Sequence, residues 1–338
     1  MNKIFLYDTE RSLLIFLLMN NFLDGNITYF FSKDVLNLEA LPGEKIFLPE
    51  IGKIEKLKFF ESLIKKNFYI KKVRRKYRNI FNLIERESVS VYGLGHTFLS
   101  SEIFYKEDLV LLEDGLLNYV FLDLPTPNSF KKGLKNIISL LIKFLFGLKI
   151  RKQPYGQGNS IKKIYLTGLA SIPKEIEEKV EIIDLKKLWK NKNQKEKEII
   201  LKTFGVDLSI LEKINKDTIM LFTQPLSEDT FISEREKIDL YSKILKKYPN
   251  QSVIIKIHPR EITDYSKYFP NCYVMKEKYP VEILGLMDIN IKKVVTIFST
   301  AVFGFNNIPI DFYGTEINQK LFSAFGSQDK LKKRNAFL

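Results

Sequence analysis

Short runs of apolar residues recur along this chain, and a segment with helical periodicity follows most of them. Runs of this kind, bounded by glycine or charged residues, are typical of parallel strands that are buried on both faces of a sheet. Strands that alternate with helices favour a doubly wound α/β fold. The strand candidates in the first part of the chain are 4–7, 27–31, 45–48, 88–92, 109–112, 164–167 and 181–185.

The alternation begins again after a polar stretch at residues 191–198. A length of 338 residues suits two domains of about 100–200 residues each. We therefore predict one Rossmann-like domain at 1–200 and a second at 201–338. The second part is predicted to contain strands at 218–223, 252–257, 294–298 and 309–313, helices at 234–247 and 281–287, and a helical turn at 300–305. In the first part, Thr9 is a candidate cap for a helix through Asn20, and one long helix is predicted over about 54–78.

Composition excludes several classes of protein. With 45% hydrophobic and 28% charged residues, the chain is neither disordered nor fibrous. A single cysteine, Cys272, leaves no internal disulfide and no cysteine-based metal site. The two histidines, His96 and His258, also disfavour a metal site built from several imidazoles.

The charge balance is basic, because 54 Lys and Arg against 40 Asp and Glu give a net charge of +14. Such a balance is typical of proteins that bind nucleic acid or an anionic membrane. Basic clusters fall at 65–78, around Arg74, and at 186–195. A third region, 128–152, interleaves lysines with apolar residues around Phe144 and is too short and too charged to span a bilayer. It predicts an amphipathic helix, whose basic face either lies on a membrane or is solvated.

The start of the chain lacks the pattern of a secretory signal, since no small-residue cleavage site follows the apolar stretch 13–18. The sequence therefore predicts a cytoplasmic protein. With the basic clusters, it predicts peripheral contact with the anionic inner face of the cell membrane.

Polar motifs stand directly after four of the predicted strands, where ligands bind in sheets of this kind. Each motif alone also fits a purely structural interpretation, in which Asp114 or Ser299 caps a helix and His258 is a structural histidine. The motifs are Glu113, Asp114 and Gly115 after 109–112; Gln224, Pro225, Glu228 and Asp229 after 218–223; His258, Pro259 and Arg260 after 252–257; and Ser299 and Thr300 after 294–298.

The order of these motifs, Glu-Asp-Gly, then His-Pro, then Ser-Thr, resembles the three-motif signature of bacterial sialyltransferases. The stretches 112–118, 221–225, 257–260 and 297–301 resemble glycosyltransferase family 52, the lipooligosaccharide sialyltransferases. The resemblance runs from the first strand to about Tyr313, although only the motif stretches are specific.

The resemblance implies a GT-B fold, with two Rossmann-like domains facing a central cleft. The N-terminal domain would face the acceptor and the C-terminal domain would bind the CMP-sugar. The implied reaction moves sialic acid from CMP-sialic acid to a terminal galactose of a lipooligosaccharide or capsule, with inversion and an α-2,3 linkage. No metal or other cofactor is implied, and no Asp-x-Asp motif occurs in the chain. Relatives also imply a homodimer.

By the same resemblance, His258 is the general acid or the hydrogen-bond donor to the departing phosphate. Ser299 and Thr300 would contact that phosphate, and Glu282 would hold the ribose hydroxyls. The alternative is that Glu282 is an exposed helix residue without a binding role. The remaining donor-binding candidates are Gln224, Pro225, Pro259 and Arg260.

The general base has two candidates. Inversion requires a carboxylate near the acceptor hydroxyl to take its proton as the new bond forms. The lipooligosaccharide enzymes point to the acids that follow Pro225, and we place Asp229 first. Related sialyltransferase families point instead to Asp114. Glu228, Glu113 and Gly115 are alternatives or supporting residues.

Three other functions compete with this interpretation. The net charge favours a nucleic-acid-binding protein, but the chain contains no recognisable nucleic-acid module. A different nucleotide-sugar transferase or a polysialyltransferase could use the same scaffold. A carbohydrate-binding relative without catalytic activity is disfavoured, because the acids, the histidine and the hydroxyls are all present.

Overall fold

A computed structural model describes residues 2–33, 35, 37–55, 59–86, 89–105, 108–119, 156–157, 161, 163–277, 279–305 and 308–328. The chain divides into two compact units, residues 1–203 and residues 204–338. The amphipathic segment predicted at 128–152 lies outside the described residues.

Within its described residues, the first unit contains a sheet of seven parallel strands in the order β3-β2-β1-β4-β5-β6-β7. The apolar side chains of its inner strands are buried on both faces, as the continuous runs predicted, whereas Phe47 on β3 and Ile182 on β7, at the two edges, are exposed. The strands are β1 Asn2–Tyr7, β2 Ile27–Phe31, β3 Glu44–Phe47, β4 Val89–Gly93, β5 Val110–Leu112, β6 Lys163–Leu166 and β7 Val180–Ile182.

Helices cover the faces of this sheet. The first is capped as predicted, because Thr9 and Ser12 form a capping box at its start. Its buried side chains pack on the central strands, where the Phe16 ring stacks on Phe5 at 4.6 Å. The α-helices are α1 Glu10–Met19, α2 Glu50–Glu55, α3 Phe59–Lys76, α4 Arg78–Glu85, α5 Lys174–Glu177, α6 Leu185–Asn191 and α7 Gln194–Thr203.

The long helix predicted over about 54–78 corresponds to α3, which ends where the backbone leaves the helical conformation at Tyr77. The next helix, α4, was not predicted. Two rings at and after this break pack in the core. Tyr77 packs edge-on against Phe30 at 5.8 Å, and Phe81 stacks on Phe104 at 4.8 Å.

The second unit contains a parallel sheet in the order β10-β9-β8-β11-β12. The sequence analysis missed β10, an edge strand of three residues that pairs with β9, and it also missed α10. The strands are β8 Thr218–Phe222, β9 Ser252–Lys256, β10 Tyr273–Met275, β11 Lys293–Thr296 and β12 Ile310–Phe312, and the α-helices are α8 Glu234–Leu245, α9 Glu282–Leu286 and α10 Gln319–Phe325.

Each sheet has one point where the strand order reverses. In the first unit this switch point lies between β1 and β4, and in the second it lies between β8 and β11. Ligands of doubly wound sheets bind outside the carboxyl ends of the strands at such points. The predicted α/β class with two Rossmann-like units is confirmed, and the two switch points indicate where to look for function.

Candidate active site

Most of the predicted site residues of the second unit lie in three loops that follow neighbouring strands. The loop after β8 carries Asp229, the loop after β9 carries His258, and the loop after β11 carries Ser299. Because β8 lies between β9 and β11, the three loops meet at one edge of the sheet, beside the switch point.

His258 is half-buried at the start of the loop after β9. Burial lowers the pKa of the imidazole below its ordinary value of 6.5, and the positive charges of Arg260 and Lys256 lower it further. The Arg260 backbone N–H donates to His258 Nδ1 at 3.2 Å. A neutral ring whose Nδ1 accepts a hydrogen bond carries its proton on Nε2. His258 is therefore arranged as a neutral donor through Nε2–H.

Ser299 and Thr300 begin a 3-10 helix of five residues, Thr300–Gly304, at the end of β11. The Ser299 hydroxyl accepts weakly from the Ala301 N–H at 3.4 Å, and the Ser299 N–H donates to the Thr296 hydroxyl at 3.0 Å. So short a turn has only a small dipole, since the macrodipole needs several aligned peptide units. Anion binding here would depend on hydroxyls and individual N–H groups.

Glu282 lies at the start of α9 and is 6% exposed, so the alternative of an exposed helix residue is wrong. The helix packs closely on the turn after β11. A Cβ atom added to Gly285 would stand 2.2 Å from the carbonyl oxygen of Gly304, and one added to Gly304 would stand 3.0 Å from Glu282 Cγ. Two glycines thus allow the Glu282 helix to lie directly against the Ser299 loop.

Gln224 and Pro225, predicted as donor contacts, are both buried. The Gln224 side-chain oxygen accepts from the Phe298 N–H at 3.1 Å, and the Gln224 backbone N–H donates to the Tyr241 hydroxyl at 2.8 Å. These contacts tie the end of β8 to the end of β11. The Pro225 carbonyl accepts from the Asp229 N–H at 2.9 Å and closes the turn that carries this acid.

Asp229 forms a two-point ion pair with Arg260. The two Arg260 nitrogens lie 2.6 Å and 2.9 Å from the two Asp229 carboxylate oxygens. The Asp229 side chain is 29% exposed and that of Arg260 is 62% exposed, so both face solvent. The next residue, Thr230, has a φ of +62°, a left-handed conformation that costs a residue with a Cβ atom about 1–2 kcal/mol.

Glu228 is held far more firmly than its neighbour. Its carboxylate accepts from Lys237 Nζ at 2.8 Å and 3.0 Å and from the Ile262 N–H at 3.0 Å. Burial alone would raise the pKa of Glu228, but the hydrogen bonds from Lys237 and Ile262 outweigh it and lower the pKa to about 2. Of the two adjacent acids, Asp229 is therefore the one presented to solvent.

In the first unit, Asp114 is paired with His96, the histidine to which the sequence analysis assigned no role. His96 Nε2 lies 3.3 Å from Asp114 Oδ2, and His96 Nδ1 lies 3.2 Å from the Leu94 carbonyl. Burial lowers the pKa of His96, but the bonds to Asp114 and Leu94 outweigh burial and raise it above its ordinary value. His96 follows β4 and Asp8 follows β1, so both lie at the switch point of the first sheet.

Glu113 is fully buried, and its carboxylate accepts several hydrogen bonds. It accepts from Arg11, from the Thr167 N–H at 2.7 Å, from the Thr167 hydroxyl at 2.8 Å and from the Tyr119 hydroxyl. Gly115 has a φ of +57°, and a Cβ atom there would meet nothing within 4 Å, so the glycine serves the backbone conformation alone. Glu113 supports the loop, while Asp114 faces outward.

Sequence reasoning missed several polar residues of these networks. Lys237 shares the helical spacing of Leu240, Tyr241 and Ile244, a core pattern that could have marked it as a buried lysine. His96 could have been found from its place after β4. Within the described part of the chain, no three His, Cys, Asp or Glu side chains converge as the ligands of a metal ion do.

Comparison with known proteins gives three findings. The sequence model of Glycosyltransferase family 52 matches residues 14–321. An uncharacterised protein of Haemophilus influenzae is 38% identical over 265 residues, which cover 77% of this chain and 81% of that protein. A solved structure of the 2,6-sialyltransferase of Photobacterium sp. JT-ISH-224, with CMP and lactose, has a TM-score of 0.56 at 11% identity. That match covers 98% of this chain and 76% of the other, and it shows a shared fold.

Proposed function

This chain belongs to glycosyltransferase family 52 and is a GT-B glycosyltransferase, and we propose that it transfers sialic acid from CMP-sialic acid to a terminal galactose of a bacterial surface glycan. The glycan is a lipooligosaccharide or a capsule, the linkage is α-2,3, and the reaction inverts the anomeric centre without a metal or other cofactor. The second unit binds the CMP-sugar and the first unit binds the acceptor.

The observation that supports this proposal is the hydrogen bond from the Arg260 N–H to His258 Nδ1, which leaves Nε2 to carry the proton of a neutral ring. A CMP leaving group carries one phosphate, whose developing charge needs hydrogen-bond donors positioned in advance. A neutral imidazole with its proton on Nε2 is such a donor, and it stands at the edge of the sheet that also presents the Ser299 and Thr300 hydroxyls. Glu282, buried against the Ser299 loop, is proposed to accept from the ribose hydroxyls.

A CMP-release assay tests the donor and the acceptor together. The protein should release CMP from CMP-sialic acid when a terminal galactoside is present and much less with a matched glucoside, and mass spectrometry and NMR of the product give the linkage. Release from a different nucleotide sugar, with none from CMP-sialic acid, would refute the donor assignment. Products with several sialic acids would identify a polysialyltransferase. Tight, salt-sensitive binding of a random DNA duplex, without CMP release, would favour the nucleic-acid-binding alternative.

Asp229 is proposed as the general base, with Asp114 as the second candidate. Asp229 is partly exposed at the end of the central strand, where it pairs with the solvent-facing Arg260, whereas Asp114 pairs with the half-buried His96. If Asp229 is the base, Asp229→Asn should lower kcat by about 10²–10⁴-fold, and Asp114→Asn should retain more activity. Near wild-type kcat for Asp229→Asn together with loss of activity in Asp114→Asn would reverse the assignment.

Arg260→Gln is the matched control for this comparison. It breaks the same ion pair as Asp229→Asn but keeps the Asp229 carboxylate. A base at Asp229 predicts that Arg260→Gln mainly raises the donor KM, while Asp229→Asn mainly lowers kcat. Equal losses of kcat in both variants would assign the effect to the ion pair.

The exposed face of α3 is proposed to contact an anionic membrane. Ile64 and Phe68 project from this face, and Phe68 is 63% exposed. Two of its lysines form exposed ion pairs, which are weak in water. Apolar side chains flanked by cations are typical of helices that lie in the headgroup region. No described helix is long and apolar enough to cross a membrane. The basic side chains on the face are Lys65, Lys71, Lys72, Arg75 and Lys76.

Vesicle sedimentation tests this contact and the location at the inner face of the membrane that it implies. The protein should bind phosphatidylglycerol-containing vesicles at low salt and pure phosphatidylcholine weakly, since each surface cation contributes about 1 kcal/mol. Phe68→Ser should weaken binding, whereas Ile182→Ser, a matched change of an exposed residue on β7, should not. Failure to bind anionic vesicles at low salt would refute the contact. The proposed homodimer is checked by light scattering on the same sample.

A further inference from the structure

Two fully buried charged side chains, Lys237 and Glu261, and a third that is 12% exposed, Glu228, form a cluster at the His258 and Asp229 loops. Lys237, on α8, has a fully buried side chain, and its Nζ lies 2.8 Å from Glu228 Oε2 and 3.6 Å from Glu261 Oε1. The Glu261 side chain is also fully buried. One cation between two carboxylates is a costly arrangement in a protein interior unless every partner is held in place.

Glu261 connects this cluster to the His258 loop. Its Oε2 atom accepts from the His258 backbone N–H at 2.7 Å and from the Thr223 hydroxyl at 2.5 Å. Its Oε1 atom accepts from the Tyr265 hydroxyl at 2.6 Å. Thr223 directly follows β8, so a single carboxylate fixes the start of the His258 loop to the end of the neighbouring strand.

Glu228 connects the same cluster to the Asp229 turn. It precedes Asp229 in the chain and accepts from the Ile262 N–H at 3.0 Å and the Thr263 hydroxyl at 3.3 Å. Both donors belong to the loop that begins at His258. The two loops are therefore joined through Lys237 and directly through Glu228, in addition to the Asp229–Arg260 ion pair at the surface.

We propose that Lys237, Glu228 and Glu261 are positioning residues, which set the distance and orientation of His258 relative to Asp229. The catalytic roles of His258 and Asp229 rest on the proposed function. The effect of the cluster on the orientation and tautomer of the His258 ring does not depend on that function. The buried cluster resists displacement because moving any member leaves a buried charge without its partner. A misplacement of about 1 Å at a reacting group can cost about 100-fold in rate.

Glu261→Gln is the first test, because it keeps the shape of the side chain and removes its charge. A glutamine has one oxygen to replace two acceptors. In one orientation the glutamine oxygen accepts from His258 and Thr223, and its NH₂ group then faces the Lys237 ammonium. In the opposite orientation of the amide, the NH₂ group faces the His258 N–H. Either orientation puts two donors together and displaces a loop. Lys237→Met is the second test, since it leaves two carboxylates without their cation.

Lys293→Met is the matched control. Lys293 pairs with Asp311 at 2.8 Å on β11 and β12, so this change also removes a lysine from an ion pair, but it lies on the other side of the sheet from the His258 loop. Glu261→Gln, Lys237→Met and the control are compared below their unfolding transitions, by ¹H–¹⁵N NMR of the two imidazoles and by initial-rate kinetics. His96→Gln assigns the resonances.

The wild type and the control should show His258 mainly with its proton on Nε2. Glu261→Gln and Lys237→Met should show a mixture of tautomers and a changed His258 pKa, with kcat lowered about 10–100-fold and the donor KM changed far less. Unchanged tautomer and pKa in a folded Glu261→Gln would overturn the proposal, as would an equal change in the control. If the wild type releases no CMP, the proposed function fails, and the NMR comparison still decides whether the cluster positions His258.

Discussion

Replacing His258 with alanine removes the imidazole that we propose donates to the departing phosphate. The loop is fixed by the bond from the His258 backbone N–H to Glu261, which the change keeps. Within the loop, the change removes the ring acceptor of the exposed Arg260 N–H together with the proposed donor to the phosphate. It should leave the fold intact and act on the chemical step.

The expected loss of kcat in His258→Ala follows from the role of the neutral His258 ring as a hydrogen-bond donor. A neutral donor aimed at a developing oxyanion contributes about 2.7–4 kcal/mol, which is about 10²–10³ in kcat. Ser299 and Thr300 remain, so the loss in His258→Ala should lie near the lower end, about 100-fold. His258→Gln offers an N–H donor close to the position of Nε2 and should recover about 10-fold of that loss.

The assay is the initial rate of CMP release at saturating donor, measured from about pH 6 to about pH 9. Burial and the nearby cations lower the pKa of His258 below 6.5, so the ring is neutral over most of this range. A neutral donor predicts that the contribution of His258 stays constant as pH rises above 6.5. An imidazolium acting as a general acid predicts that kcat falls steadily as pH rises through the same range.

Two results would refute this reasoning. An undiminished kcat in His258→Ala would remove the residue from the chemistry. A His258→Gln variant as slow as His258→Ala, combined with a wild-type rate that falls with rising pH, would show that the ring donates its proton fully as an acid and is not a neutral donor.

The remaining predictions concern stability. Glu113→Gln should lower the free energy of unfolding by about 3 kcal/mol in urea denaturation, because it leaves a buried cation without its carboxylate; an unchanged midpoint would contradict this. Gly285→Ala should cost about 1–3 kcal/mol and weaken CMP binding in calorimetry, since its Cβ would strike Gly304, whereas Gly52→Ala, with open space around it, should be neutral or stabilising. The raised pKa of His96 should add stability that is complete below about pH 6.5 and is lost as pH rises through the folded-state value; urea midpoints whose pH dependence is the same in His96→Gln as in the wild type would refute it.

The strands could be predicted because burial on both faces leaves continuous apolar runs in the sequence. Errors at the ends were small, as for β11, predicted at 294–298 and observed at Lys293–Thr296. The sequence could not show β10, since three edge residues that pair with one neighbour carry little pattern. The helix α4 was also hidden, because its N-cap residue Tyr77 makes no side-chain capping bond that would mark a new helix in the sequence.

The location of the candidate site could be predicted for a different reason. The rule that ligands lie beyond the carboxyl ends of parallel strands depends on topology alone, and the loops with Asp229, His258 and Ser299 do lie on adjacent strands. The partners of these residues could not be predicted. Lys237 and Glu261 resemble any other charged residues in the sequence, and only the fold shows that they are buried against each other.

The two Glu-Asp pairs of the candidate site, Glu113 with Asp114 and Glu228 with Asp229, share one arrangement. In each pair the glutamate is held by several donors, Glu113 by Arg11 and Thr167, and Glu228 by Lys237. In each pair the following aspartate is partly exposed, 22% for Asp114, which pairs with His96, and 29% for Asp229, which pairs with Arg260. A buried glutamate thus anchors the backbone from which a short aspartate side chain projects, and a short side chain on a fixed backbone can sample few positions. The acid that stabilises each loop and the acid that is partly exposed are therefore different residues, which is why both pairs offer a candidate base and why substitutions at the aspartates decide between them.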